Sequence, residues 1–468
     1  MKHLNVIVYT LGNEYRYILD SSNWIISVLI VDNEEWKKNI YEYEKKLNRL
    51  DRIHKIVTLY DFYYNDDLSY LNRKLVFDNT ASQLCFIKYM YRFSDDIQEI
   101  NDTYFNTLAF AAKLYKTYEC DLFINMNFNH GNCDTIMSNL ACQINIQSIN
   151  IEPMLLKKKC IYNNVSNDLV KLVKVCKSDI SKCLFYDVNI DYNGKKGNSE
   201  KNKVVFLIKK TMGKFSYKIG GWLGERLLMC VYKRNFYIET MFKEKKWSYF
   251  FKLYKKLIKS REVLEKSYST LESGEKYVFF PLHFEPEATI DGRALITCQL
   301  TILRMISQSL PQGWVCAVKE HPHQFLVNTD TFSSFIHTSG KFKTKYFYNE
   351  LSKIPNVKIV DTKIPSINLI KGAQAIATMS GTVAAETVPF SKPILVFAGT
   401  RTVYRKSKRF TMVNSYNDCR NALLKIEKDN ITYENDFQEV CDRYLFESTS
   451  ADYKIAIDSI ERAIIGFV

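Results

Sequence analysis

Three stretches of this 468-residue chain run from an apolar segment straight into groups that can move protons or bind anions. The first is Phe280-Pro281-Leu282-His283-Phe284-Glu285-Pro286-Glu287-Ala288-Thr289. A buried strand here meets one imidazole and two carboxylates, and Pro286 fixes the backbone between the acids. General acid–base chemistry needs titratable groups on a rigid turn beside a cleft, so His283, Glu285 and Glu287 are candidate proton-transfer groups. The plainer alternative is a capped helix start with surface acids.

The second stretch is Val318-Lys319-Glu320-His321-Pro322-His323. Lys319 suits a phosphate oxygen as a point charge and His321 as a hydrogen-bond donor, while Pro322 stops the strand. His321 and His323 could also begin a metal site, but no third ligand with suitable spacing follows. The third is Thr378-Met379-Ser380-Gly381-Thr382-Val383-Ala384-Ala385-Glu386. A strand turning through Ser380, Gly381 and Thr382 into a helix presents unpaired N–H groups and hydroxyls to an anion. Gly381 permits close approach of the backbone. Glu386, one turn beyond Thr382, is placed to accept from ribose hydroxyls. An ordinary Thr cap over a glycine turn is the plainer reading.

Several other chemistries lack their motifs. There is no G-x-x-x-x-G-K-[ST] loop, no G-x-G-x-x-G opening a helix after a strand, and no G-x-S-x-G elbow. These absences argue against a P-loop NTPase, a dinucleotide oxidoreductase and an α/β-hydrolase. Asp66-Asp67 and Asp95-Asp96 read as polar helix starts rather than metal motifs. None of the 12 cysteines forms a C-x-x-C pair, so they read as reduced structural thiols.

The elements that must position these residues alternate in type. In the first 190 residues, Val6–Thr10, Trp24–Val31, Lys55–Tyr60, Leu122–Met126, Ile144–Ile151 and Cys183–Val188 read as strands. Ala81–Tyr91, Asn101–Glu119 and Cys133–Cys142 read as helices between them. A second such pattern begins near residue 276. Strands are expected at Tyr277–Leu282, Trp314–Lys319, Val357–Val360, Ala373–Thr378 and Ile394–Phe397. Helices are expected at Ala294–Leu310, Tyr346–Lys353, Ser366–Lys371 and Val383–Pro389, with two more near Asn435–Phe446 and Ala451–Ile465. This is the doubly wound α/β pattern, in which ligands lie outside the carboxyl ends of the strands. The expected fold is therefore α/β, with two Rossmann-like domains facing a cleft. The expected boundaries are 1–190, a basic aromatic helical insertion at 191–275, a second domain at 276–440, and a terminal helix at 441–468 packing back across the cleft. The polar loop Asp191–Glu200 marks the first boundary, and Gly220-Gly221-Trp222-Leu223-Gly224 reads as a helix break.

Charge is concentrated between the two patterns. The chain carries a formal +14, and Lys195–Lys276 holds 21 Lys/Arg against 8 Asp/Glu. Around 239–265 the apolar positions Phe250, Tyr254, Leu257 and Leu264 follow helical spacing, with Lys252, Lys255, Lys256 and Lys259 on another face. A basic stripe beside aromatics suits either an anionic bilayer surface, over 232–266, or a solvated face. No recognition-helix, RNP or zinc-finger pattern points to nucleic acid. No apolar stretch reaches membrane-spanning length, and the first residues read as a strand rather than a signal peptide. The expectation is a cytoplasmic protein, peripheral on the inner face of the plasma membrane if the basic stripe docks there.

The second half resembles the donor-nucleotide domain of GT-B glycosyltransferases, specifically the capsular polysaccharide biosynthesis proteins related to Kdo- and sialic-acid-type transferases. The resemblance rests on Phe279–Thr289, on Val318–Pro322, on Pro355-Asn356-Val357 followed by Ser366, and on Ser380-Gly381-Thr382 with Glu386, Lys392 and Pro393. It spans about Tyr277–Gly399. It implies that His321, Pro322 and the Ser380–Thr382 turn hold the phosphate of a CMP-activated sugar, with Glu386 near the ribose. It implies no catalytic metal and no cofactor beyond the donor itself, and an acceptor that is a saccharide or lipid-linked sugar. In the sialyltransferase-like relatives an acidic motif of the first domain supplies the base. Here Asn127-Phe128-Asn129-His130-Gly131-Asn132 follows a strand instead, which makes His130 the first-domain candidate. Alternatives are a UDP-sugar transferase, a CDP-polyol phosphotransferase, or a non-catalytic assembly factor of the same fold.

Overall fold

The computed structural model describes residues 4–21, 24–92, 94–126, 132–153, 159–164, 170–175, 247–285, 287, 296–322, 324–325, 340–397, 403–428, 437–446 and 450–465. Most of the expected insertion, the strand expected at Cys183–Val188, the break at 220–224 and His130 lie outside them.

Short runs of Val, Ile and Phe that are buried on both faces form parallel strands covered by helices on either side. In the first unit these are β1 (Asn5–Tyr9), β2 (Ile25–Val31), β3 (Ile56–Thr58), β4 (Leu122–Asn125) and β5 (Gln147–Pro153). They run parallel in the order β3-β2-β1-β4-β5, and β6 (Lys159–Asn164) adds antiparallel to β5, with β7 (Val170–Leu172) on β6. Alternate residues of β1 face opposite layers: Val6 and Val8 pack with Trp24 and Ile457, Ile7 and Tyr9 with Phe86 and Tyr104.

The second unit holds β8 (Tyr277–Pro281), β9 (Val315–Lys319), β10 (Val357–Val360), β11 (Ala375–Thr378), β12 (Ile394–Val396) and β13 (Phe410–Met412). All six are parallel, in the order β10-β9-β8-β11-β12-β13. The chain thus winds outward from β8 to β10, then returns to the other side of β8. That reversal is a topological switch point, and it falls between β8 and β11. The first sheet reverses in the same way between β1 and β4.

The chain then crosses back. After the helix Phe437–Tyr444, β14 (Leu445–Phe446) pairs antiparallel with β6 of the first sheet. The helix Ser450–Ile465 follows, burying Tyr453, Ala456, Ile457 and Ile460 against Tyr15, Ile18 and Trp24. One apolar cluster runs from Tyr277 and Phe279 through Tyr444 and Leu445 to Cys160 and Tyr162, joining the units. A second link lies beside the carboxyl edges: Lys341 donates to the carbonyls of Tyr91 (2.7 Å) and Ser94 (3.3 Å) and pairs with Asp95. The fold is α/β, with two Rossmann-like domains, each built on a sheet of mainly parallel strands.

Element ends depart from expectation where local chemistry intervenes. Lys55–Tyr60 is strand only over Ile56–Thr58, because Thr58 and Asp61 form a capping box that starts the helix Leu59–Tyr63. The helix expected over Asn435–Phe446 ends at Tyr444, and its last two residues become β14. The helix Trp247–Lys266 turns Leu253, Leu257 and Leu264 inward and leaves Lys252, Lys256 and Lys259 exposed. Among the described residues no helix is long and apolar enough to cross a membrane.

Candidate functional site

The three stretches singled out in the sequence all end at the carboxyl edge of the second sheet. β8 lies between β9 and β11, so His283 stands between the Lys319 and Ser380 corners.

His283 is 6% exposed and closes the switch point. Its Nε2 accepts from the backbone N–H of Met379 (3.2 Å) and Ser380 (3.4 Å) and lies 3.1 Å from the Thr378 hydroxyl. An acceptor Nε2 places the proton of a neutral ring on Nδ1, which faces Glu287 Oε2 at 3.3 Å. Both ring nitrogens are therefore engaged, and the ring positions the turn and Glu287 rather than offering a free lone pair. Glu287 is the more open partner, with 38% of its side chain exposed. Gly381 fits this packing closely: a Cβ there would sit 3.0 Å from both His283 Cε1 and Thr378 Oγ1, so the ring or the hydroxyl would have to shift.

Glu285 is held by two buried glutamines that sequence reasoning missed. Gln299 accepts the His283 N–H at 2.8 Å and donates to the Glu285 carboxylate. Gln324 accepts the Glu285 N–H at 3.0 Å, returns a bond to the Glu285 carbonyl at 3.2 Å, and donates its own N–H to the His321 carbonyl at 3.0 Å. The acid loop and the His321 corner are thereby one rigid piece. His321 itself is half-buried beside Phe284, and Pro322 is exposed.

Below this corner lies an ion pair with no exposure on either side chain, Lys343 and Glu320, at 2.7 Å. The Glu320 carboxylate also accepts from the His321 N–H (2.6 Å) and the Tyr348 hydroxyl (2.7 Å), and Lys343 donates to the His283 carbonyl. No spacing in the sequence links position 343 to 320 or 283.

Lys319 is 8% exposed. Its amine donates to the Ile364 carbonyl and to Ser366 Oγ at 3.1 Å, so part of its hydrogen-bonding capacity ties β9 to the loop after β10. Burial holds its pKa below the ordinary lysine value, opposed by the charges of Glu386 and Asp361. Burial raises Glu386 above the ordinary carboxylate value, opposed by the Thr382 hydroxyl, which donates to it at 3.2 Å, and by Lys319.

The third corner differs from expectation in one respect. The helix expected over Val383–Pro389 is only Val383–Glu386, with a 3-10 turn at Val388–Phe390. Pro389 has no N–H to continue it. Four residues carry little helix dipole, and the Gly381 N–H is taken by Thr378 Oγ1 at 3.0 Å. What the corner offers instead is the Ser380 hydroxyl, whose oxygen is buried with no partner among the described residues. Among the described residues no three His, Cys, Asp or Glu groups are placed to hold a metal ion.

No protein-family profile matches this chain, and no curated protein does. Solved structures that align with it include the UDP-GlcNAc 2-epimerase of Methanocaldococcus jannaschii, at 12% identity and a TM-score of 0.25, over 98% of this chain and 100% of that one. The KpsC beta Kdo 2,7 transferase of Thermosulfurimonas dismutans aligns at 12% identity and a TM-score of 0.29, over 76% of this chain and 85% of that one. The Neisseria meningitidis UDP-GlcNAc 2-epimerase, solved with UDP-GlcNAc, gives 12% and 0.28 over 98% and 100%. The α/β class rests on the two strand orders.

Proposed function

We propose that this chain is a GT-B glycosyltransferase of surface polysaccharide synthesis. It takes an acidic sugar, of Kdo or sialic-acid type, from a CMP donor and gives it to a saccharide or lipid-linked acceptor. The observation that carries the reading is the convergence of the Lys319, His283 and Ser380 strand ends around one switch point.

The CMP phosphate would lie between Lys319 and His321 on one side and the Ser380–Thr382 turn on the other, with Glu386 near the ribose. The acceptor hydroxyl would give its proton to Glu287, whose carboxylate is steadied by Nδ1–H of His283. As the acceptor oxygen bonds to the anomeric carbon, the bond to the phosphate oxygen breaks and its electron pair leaves with CMP. Lys319, His321 and the Ser380 hydroxyl, already in place, would meet the charge that develops there. The exposed lysines of the Trp247–Lys266 helix would hold the protein on an anionic membrane that carries the acceptor.

Thermal-shift titration with CMP and UDP tests the donor. Selective stabilisation by CMP supports the reading, UDP selectivity replaces the donor, and no response to either favours an assembly factor. Glu287→Gln and His321→Ala are each expected to lower turnover about 10²–10⁴-fold with unfolding midpoints unchanged. Full activity in both would remove the assigned site.

A further inference from the structure

The segment 340–343 touches three parts of the molecule within four residues. Gly340 lies against the helix Trp247–Lys266, where a Cβ would approach the Leu253 carbonyl oxygen to 2.8 Å. Lys341, with 3% of its side chain exposed, reaches the first unit: the carbonyls of Tyr91 and Ser94 just beyond the helix Thr80–Met90, and the Asp95 carboxylate at 2.7 Å. Tyr91 and Phe342 add an edge-to-face contact with centroids 5.8 Å apart. Two residues after Lys341, Lys343 points the other way and is wholly buried in the second unit, on the Glu320 carboxylate and the His283 carbonyl.

Glu320 and His283 are the residues through which the two phosphate corners are built. Glu320 holds the His321 N–H, and His283 holds the Met379 and Ser380 N–H groups. We infer that 340–343 is a strap through which the first unit sets the geometry of the candidate donor site, with Lys341 and Lys343 as positioning residues at its two ends. The inference rests on the nucleotide reading for what the site binds, but not for the mechanical link. The buried lysines cannot swing independently: two residues of chain span at most about 7 Å. Gly340 is backed by main chain, and each ammonium is fixed by more than one acceptor. Movement of the helix end at Tyr91 must therefore be taken up by breaking the Lys341 bonds or passed on to Glu320 and His283.

Hydrogen exchange of the full chain tests this. Asp95 is 53% exposed at its side chain, so Asp95→Asn weakens the strap without disturbing a core. Asp95→Asn and Lys341→Met are expected to speed exchange of the His321, Met379 and Ser380 amides at least fivefold, and Asp95→Glu to restore it. The inference is overturned if amides at 91–95 speed up in both variants while those at 321 and 379–380 keep the wild-type rate. Titration with CMP separates the two readings. If both variants show the faster exchange at 321 and 379–380 while the wild-type chain binds no CMP, the strap is upheld and the nucleotide site refuted.

Discussion

Ser380 presents the sharpest test at the scale of single residues. Its buried oxygen has no partner among the described residues, and a hydroxyl left so costs about 1–3 kcal/mol of desolvation in the free protein. If its role is to meet a phosphate, removing it should help the empty chain and harm the complex. Ser380→Ala is expected to leave stability equal or raised by up to about 1 kcal/mol in denaturant melts, while weakening CMP binding roughly tenfold by calorimetry. Lower stability with unchanged binding would make Ser380 an ordinary packing residue. The types of the candidate residues were readable from the sequence because each follows a strand. Their partners were not. His283 pairs with amides nearly a hundred residues away, and Gln299 and Gln324 resemble any other glutamine until the fold brings them to the acid loop.

Strand ends are fixed here by buried polar bonds between elements. The Lys343–Glu320 pair joins the segment 340–343 to the residue just after β9, and Lys343 also holds His283, the second residue after β8. Removing one member leaves the other charged and buried. Lys343→Met is expected to lose about 3–5 kcal/mol in urea unfolding, and Glu320→Gln with Lys343→Met together less than the sum of the two single changes. A single-variant loss below about 1 kcal/mol would mean that the pair is not the tie described. Strands of the second sheet were legible because both their faces are buried, which writes a continuous apolar run. The helix Glu34–Lys46 went unread although Trp36, Ile40 and Tyr43 follow helical spacing, because the stripe is narrow and only Ile40 of the three is buried. The shortened helix after Ser380 was misread because its apolar residues run on through Pro389, where the backbone cannot follow.

For the whole molecule, two parallel sheets reverse at central switch points, and the chain returns through β14 to close the first sheet at its far edge. Two α/β repeats in the sequence implied that architecture. A terminal helix packing back was expected, but the pairing of β14 with β6 was not implied, since two residues carry no period. The exposed lysines at 252, 256 and 259 stand on a helix whose apolar side is already used by the protein. Membrane docking through them should therefore be electrostatic: flotation with anionic vesicles is expected at low salt and lost by about 0.5 M, where the screening length falls well below 10 Å. Binding that survives high salt, or no binding at all, would contradict it. The central claim is that one nucleotide phosphate is gripped between positions 319–322 and 380–382, and a crystal structure of the chain with CMP tests it most directly. The account predicts phosphate oxygens about 3 Å from Lys319 or His321 and from the Ser380 hydroxyl. CMP bound at the carboxyl edge of the first sheet, with those side chains left uncontacted, would contradict it.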